Sequence, residues 1–123
     1  MTATDRSIEL TQAAAQAAAD KLATSIVALD VSEQLAITDT FVIVSAESER
    51  QVNAIVDAVE EALLPLGSKP VRREGRASGR WVLIDFGDIV LQAFDEEDRE
   101  FYGLERLWQD CPVIELDLEE AAS

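Results

Sequence analysis

The chain has 123 residues, 48% of them hydrophobic, which suits one domain with a sizeable core and leaves no room for a second. Its 25 acidic and 10 basic residues give a net charge of −15, which argues against autonomous nucleic-acid binding because phosphate contacts need clustered cations. With no histidine and a single cysteine, we expect no zinc site, no Cys–His or Ser–His catalysis and a reducing, cytoplasmic compartment. The sequence shows neither a secretion signal nor an apolar run of eighteen residues, so no membrane association is expected.

The amino-terminal part of the chain predicts a helix followed by two strands. Thr4 or Ser7 is a suitable N-cap for a helix that reaches about Ala23. The proposed apolar stripe of this helix has helical spacing and consists of Ile8, Thr11, Ala15, Ala18 and Leu22. The apolar runs at residues 25–31 and 40–45 then predict buried strands, which a connection separates.

A second helix has the clearest pattern in the chain. Ser48 and Gln51 match a capping box, in which each residue satisfies a backbone N–H group of the other. The stripe that follows has i, i+3, i+4, i+7 spacing and consists of Val52, Ile55, Val56, Val59, Leu63 and Leu66. Pro65 and Gly67 are expected to end the helix, and a short strand is expected around Val71.

Two apolar runs flank residues 87–88, a Gly-Asp pair that predicts the two-residue loop of a β-hairpin. In that register Phe86 pairs with Ile89, and Trp81 pairs with Phe94. One face of the ribbon is entirely apolar and consists of Val82, Ile84, Phe86, Ile89, Leu91 and Ala93. The other face is mixed and consists of Trp81, Leu83, Asp85, Val90, Gln92 and Phe94. We expect this second face to be an exposed partner-binding surface; the alternative is that helices cover both faces.

After the hairpin, residues 98–108 fit a helix and residues 113–118 alternate as an edge strand would. The element order α-β-β-α-β-β-β-α predicts an α+β fold, with a mixed sheet of about five strands and helices packed mainly on one face. Residues 1–118 are expected to form a single domain, and residues 119–123 are expected to be a frayed tail.

Charge is unevenly distributed along the chain. Residues 69–80 have a local balance of +4, from Lys69, Arg72, Arg73, Arg76 and Arg80 against Glu74. A solvated loop is the favoured interpretation of this segment, and contact with an RNA phosphate is the alternative. Residues 95–120 contain eleven acids against two arginines, a balance of −9. The acids of residues 95–105 lie beside the hairpin and suggest a basic protein partner, whereas those of residues 115–120 suggest a solvated tail.

Enzyme signatures are weak in this chain. The Asp85-Phe86-Gly87 triplet matches a protein-kinase metal motif, but the rest of that motif set is missing. Four carboxylates at strand ends are candidate ligands for a divalent metal, although residues at such places are more often turn formers: Asp30, Asp39, Asp85 and Asp88. The segment 45–48 is only weakly similar to a nucleotidyltransferase signature, because it has neither the Gly-Ser pair nor the later Asp-x-Asp pair.

Five segments together resemble one known family in order and spacing. They are SEQLAITDTFVI (32–43), SERQVNAI (48–55), REG (73–75), GRWVLIDFGDIV (79–90) and REFYGLERLW (99–108). The set covers about residues 8–112 and resembles the ribosomal silencing factor family, also called Iojap-like proteins. The resemblance implies a nucleotidyltransferase-like fold without the catalytic residues, and hence no enzyme activity and no cofactor.

The resemblance also implies a partner and a role. Proteins of this family bind the large ribosomal subunit through its protein number fourteen, block joining of the small subunit and repress translation when nutrients are scarce. The contact candidates that the resemblance implies are Trp81, Asp85, Tyr102, Leu104 and Glu105. The hairpin interpretation adds Phe94 and Asp95 to them. Gln92 departs from the family, which commonly has histidine there. Tyr102 and Leu104 have an alternative role in packing the last helix, and Trp108 is assigned to the core.

Two other functions remain open at this point. The first is a nucleotide-binding or nucleotidyltransferase-like enzyme that uses the same fold. The second is a homodimeric adaptor with another partner, because an exposed apolar face often associates with a second copy of itself.

Overall fold

The computed structural model describes residues 4–33, 38–75, 81–95 and 111–118. The elements in these parts of the chain are α1 (Asp5–Asp20), β1 (Ser25–Asp30), β2 (Thr40–Ala46), α2 (Glu49–Leu63), a 3-10 turn (Leu64–Leu66), β3 (Arg72–Glu74), β4 (Trp81–Asp85) and β5 (Ile89–Asp95). Their order confirms the expected sequence of elements as far as the hairpin. The helix expected at residues 98–108 and the tail expected at residues 119–123 lie outside the described residues.

The five described strands form one mixed sheet, in the order β1-β2-β5-β4-β3. The pairing of β2 with β5 is parallel, and the other pairings are antiparallel. A parallel pair needs a crossover connection, and here the crossover contains α2, β3 and β4. The sheet confirms the expected α+β class and puts β5 between β2 and the hairpin partner β4.

Helix α1 differs from its expected form in length and in its buried face. Thr4 caps it, since the Thr4 hydroxyl accepts a hydrogen bond from the backbone N–H of Ser7 at 3.1 Å. The helix ends at Asp20 rather than near Ala23, and Leu22 has a φ of +61° and is 67% exposed. The residues that α1 buries are Ser7, Leu10, Thr11, Ala14, Ala15, Ala17 and Ala18. The expected stripe was therefore wrong at Ile8, which is 37% exposed, and at Leu22, which lies beyond the end of the helix. Leu10, Ala14 and Ala17 belong to the buried face instead.

Helix α2 confirms the predicted cap and apolar stripe. The Ser48 hydroxyl accepts a hydrogen bond from the Gln51 backbone N–H at 3.2 Å. The side-chain amide nitrogen of Gln51 donates to the carbonyl of Lys21 at 2.5 Å, so the side chain also joins α2 to the end of α1. The fully buried residues of the stripe are Val52, Ile55, Val56, Val59 and Leu63. The last predicted residue, Leu66, lies beyond the helix in the 3-10 turn and is half-buried. Gly67, with a φ of +81°, ends the 3-10 turn as expected.

Side chains on both faces of the sheet are buried. The first cluster contains the apolar sides of α1 and α2 and the inward residues of β2, β4 and β5, including Val42, Val82 and Leu91. The second cluster, on the opposite face, consists of Leu29, Val31, Phe41, Ile43, Val90, Phe94 and Cys111, with Val27, Trp81 and Leu83 packed against it. Both described helices thus share one face, as expected. Neither is long and apolar enough to cross a membrane.

The carboxy-terminal segment, residues 111–118, closes the outer edge of β1. The carbonyl of Pro112 accepts a hydrogen bond from the Asp30 N–H, and the N–H of Ile114 donates to a β1 carbonyl, each at 2.8 Å. Beyond this pairing, Gln12 of α1 binds both backbone groups of Asp117, at 2.5 and 3.0 Å. The edge strand expected here is reduced to a short pairing, after which the chain attaches to the helix.

Candidate protein-docking surface

The hairpin that carries the candidate surface has the predicted register. Trp81 lies opposite Phe94, and the Phe86 N–H donates to the carbonyl of Ile89 at 2.9 Å. All six residues expected on the apolar face belong to the first cluster. Because the side chains of a strand alternate, the same register puts Trp81, Leu83 and Asp85 on the opposite face of β4.

Phe94 does not lie on the surface. Its side chain is 1% exposed, and Gln92 and Val90 beside it on the same face are 5% and 8% exposed. The expectation of an open apolar face was therefore wrong for β5. Strand alternation sorts side chains between two faces but does not indicate what packs on either face, and here Val31 and Cys111 join the strand residues in a buried cluster.

Trp81 is half-buried and is supported by Phe94 across the strand pair. The two ring centroids are 6.4 Å apart with an interplanar angle of 35°, a tilted arrangement within the favourable range for aromatic pairs. Leu83, also half-buried, packs against the same cluster two residues further along β4. Leu83 was not among the candidate site residues. Its position midway between Trp81 and Asp85 could have identified it, because alternate residues of a strand share one face.

The two acidic candidates of the hairpin have different surroundings. The carboxylate of Asp85 accepts a hydrogen bond from the Gly87 N–H at 2.8 Å, which is the turn-forming use of an aspartate. Asp95, at the end of β5, lies opposite Ala46, a member of the first cluster, and alternation along β5 puts it on the helix side of the sheet. The structure therefore does not bring Asp85 and Asp95 to one face. Three further candidates lie outside the described residues, as does Trp108: Tyr102, Leu104 and Glu105.

Two of the other strand-end carboxylates, those of Asp30 and Asp39, also accept hydrogen bonds. Asp30 accepts from the backbone N–H and the hydroxyl of Ser32, at 3.0 and 2.6 Å. Asp39 accepts from the Thr4 N–H at 3.0 Å and from the Ser7 hydroxyl at 2.8 Å, both in the first turn of α1 or its cap. No group of three metal-ligating side chains occurs among the described residues. These contacts favour the turn-forming interpretation over a metal site.

The hydrogen bonds at Asp39 also change its acidity. The Thr4 backbone N–H stabilises the charged carboxylate most strongly, and the Ser7 and Thr4 hydroxyls add to it. Together they outweigh partial burial and the nearby charge of Asp30, and hold the pKa of Asp39 below its usual range. The ionised carboxylate also suits the positive end of the α1 dipole, so Asp39 joins the start of β2 to the first helix.

The two described arginines of the basic segment, Arg72 and Arg73, already face carboxylates. Arg73 contacts Glu60 of α2 through two nitrogens, at 3.0 and 2.6 Å, and Arg72 lies 3.8 Å from Glu74. A cleft of about 560 Å³ adjoins these residues on the helix side; Asp57, Glu60, Glu61, Leu64, Ser68, Lys69, Pro70 and Arg73 line it. These pairs favour the solvated-loop interpretation of the described residues of the segment over contact with an RNA phosphate.

Comparison with known proteins identifies the family. The family model described as "Ribosomal silencing factor during starvation" matches residues 4–123. A ribosomal silencing factor from Halalkalibacterium halodurans is 41% identical over 109 residues, which are 89% of this chain and 93% of that protein. The mouse protein named "Mitochondrial assembly of ribosomal large subunit protein 1" is 36% identical over 89 residues, covering 70% of this chain and 39% of that protein.

A solved structure agrees with the sequence matches. The crystal structure of a protein from Chromobacterium violaceum superimposes with a TM-score of 0.79 at 32% identity, covering 83% of this chain and 85% of that one. The family model, the relatives and the solved structure all agree with the family that the five segments resemble. The chain therefore belongs to the ribosomal silencing factor family.

Proposed function

We propose that this protein binds the large ribosomal subunit through the subunit's protein number fourteen, blocks joining of the small subunit and so represses translation when nutrients are limited. It acts in the cytoplasm by occupying a surface and not by catalysis, and it needs no cofactor. The observation that carries the proposal is membership of a family described as ribosomal silencing factors during starvation, with a match that spans residues 4–123. The name of the mouse relative, which refers to assembly of the large subunit, supports the same particle as the partner.

Trp81 is the proposed central contact. A large aromatic side chain that is partly exposed and held by a second ring provides much apolar area with little conformational freedom to lose on binding. Phe94 is a support in this proposal rather than a contact, because it is 1% exposed. Asp85, at the turn end of the same strand face, provides an acidic edge, and the remaining proposed contacts are Tyr102, Leu104 and Glu105. Asp95 is left out of the proposed contact because it lies on the helix side of the sheet.

Charge favours a basic protein surface over ribosomal RNA. The chain has a net charge of −15, so phosphate-rich surfaces repel it while lysine- and arginine-rich ribosomal proteins attract it. Repulsion from RNA would then contribute to specificity, since a wrong docking position on the subunit would oppose like charges. A protein bound at the subunit interface acts without catalysis, because it sterically excludes the small subunit from the same surface.

Co-sedimentation with separated large subunits, separated small subunits and assembled ribosomes tests the proposal. We expect binding to large subunits alone and loss of subunit association. Trp81→Ala should fold and lose about 2 kcal/mol of binding, a factor of roughly thirty in affinity. Leu64→Ala is the matched control, because Leu64 is an exposed apolar residue (55%) that lines the cleft on the helix side.

Absence of binding to large subunits would refute the proposal. Unfolding of Trp81→Ala would instead show that this side chain belongs to the core, and binding unchanged in that variant would remove Trp81 from the contact. A homodimer that uses the same surface would compete with the ribosome, and sedimentation of the free protein over a concentration series would detect it.

A further inference from the structure

The backbone at Gly75 lies directly against Trp81. Gly75 follows β3, which pairs with β4 so that Glu74 lies opposite Leu83. A methyl group at Gly75 would overlap the main-chain oxygen of Trp81 and lie 3.1 Å from the indole atom Cε3. Gly75 therefore lies so close to the main chain and the ring of Trp81 that the space beside it does not accommodate a side chain.

The indole of Trp81 thus has close neighbours on two sides. Phe94, on the neighbouring strand, lies beside it with a centroid distance of 6.4 Å, while the Gly75 backbone lies near its Cε3 edge. A side chain at position 75 would have to displace the first residue of β4, because its nearest neighbour there is main chain rather than the flexible end of a side chain. Any such displacement moves the indole with its backbone.

We infer that Gly75 is a positioning residue for partner binding: its missing side chain lets β3 and β4 close around Trp81 and sets the orientation in which the indole meets the partner. This inference rests on the proposed function, in which Trp81 is the central contact. It adds a residue that makes no contact with the partner itself, and it assigns a physical role to the last residue of the REG segment.

Substitutions at two other glycines with positive φ distinguish the effect of packing against Trp81 from the effect of backbone strain. Gly67 and Gly87 have φ values of +81° and +93°, close to the +76° of Gly75, so an alanine at any of the three carries a similar conformational penalty. At Gly67, however, the nearest atom to an added methyl group is the end of the Arg6 side chain at 3.6 Å, which is ordinary contact. Gly67→Ala is therefore the matched control for Gly75→Ala.

The test measures affinity for large subunits together with a signal from Trp81 itself. Fluorotryptophan labelling gives separate 19F resonances for the two tryptophans of the chain, and Trp81→Phe assigns that of Trp81. We expect Gly75→Ala to shift this resonance and to lower affinity about tenfold, whereas Gly67→Ala does neither. In the Trp81→Ala background, Gly75→Ala should lower affinity no further, because residues that act through one contact are not additive.

The outcomes distinguish this inference from the function on which it rests. If the wild type binds large subunits and Gly75→Ala binds as Gly67→Ala does, the inference is overturned and the proposed function stands. Additive losses in the double variant would also overturn it. Failure of the wild type to bind removes the proposed function and the inference with it. If Gly75→Ala does not fold, Phe94→Leu tests the premise of the inference, that the packing of the indole sets affinity, because it removes the neighbouring ring. Unchanged affinity in that variant overturns the premise and the inference with it.

Discussion

Phe94→Ala tests whether the second face of the sheet is core. The side chain is 1% exposed, and replacing a buried phenylalanine with alanine costs about 3–5 kcal/mol because it removes apolar burial and leaves a cavity. The paired ring of Trp81 loses its cross-strand neighbour as well, which is worth about 0.5–1.5 kcal/mol for an aromatic pair. We therefore expect a loss of about 4 kcal/mol in the free energy of unfolding.

Urea unfolding followed by far-ultraviolet circular dichroism measures this loss. With a denaturant dependence of about 1.5 kcal/mol/M, the midpoint should fall by roughly 2–3 M. Phe94→Leu keeps most of the volume and should lose less than about 1.5 kcal/mol. Val71→Ala, at a residue that is 73% exposed, should stay within about 0.5 kcal/mol of the wild type. A midpoint shift in Phe94→Ala as small as that of Val71→Ala would refute the assignment of this face to the core.

Two further predictions concern the loop before β2. Asp39→Asn should destabilise the protein by about 1 kcal/mol at neutral pH, since the charged acceptor of the Thr4 and Ser7 hydrogen bonds is lost. The pKa of Asp39 is lower in the folded protein than in the unfolded chain, so the ionised carboxylate stabilises the fold at pH values above the unfolded pKa of about 3.9. This stabilisation disappears as pH falls through the folded pKa. The free energies of unfolding of the variant and the wild type should therefore converge in acid. Thr38→Val should stabilise by about 1 kcal/mol in thermal or urea unfolding, because the Thr38 hydroxyl is buried and has no hydrogen-bond partner within the described parts of the chain. A destabilised Thr38→Val would show that this hydroxyl is in fact bonded.

Features set by neighbours in the sequence were predictable. The Ser48 cap, the α2 stripe and the hairpin register each depend on residues a few positions apart, and each is confirmed. The sequence near the start of α1 offered two N-cap candidates, Thr4 and Ser7, and the structure shows that Thr4 is the N-cap. In each of these cases the physical cause, a hydrogen bond or a periodic apolar face, is contained in one short window.

Features set by distant parts of the chain were not predictable. The side-chain amide nitrogen of Gln51 donates to the carbonyl of Lys21, thirty positions away. The left-handed conformation of Leu22 at the end of α1 has no glycine or asparagine to signal it. The same limit applied to the candidate docking surface. The alternating pattern identified which residues share a face with Trp81, but it did not predict the burial of Phe94, which depends on packing by residues elsewhere in the chain.

The segment at residues 111–118 has a consequence for how the chain folds as it is made. Gln12 and Asp117 meet across 105 positions, and the β1 edge acquires its partner strand equally late in the sequence. During translation, β1 and α1 leave the ribosome well before that partner, so unpaired N–H and C=O groups of β1 are open to strand pairing with another nascent chain. Docking of the carboxy-terminal segment ends this exposure, which makes it a late, long-range step that protects the chain against edge-to-edge aggregation.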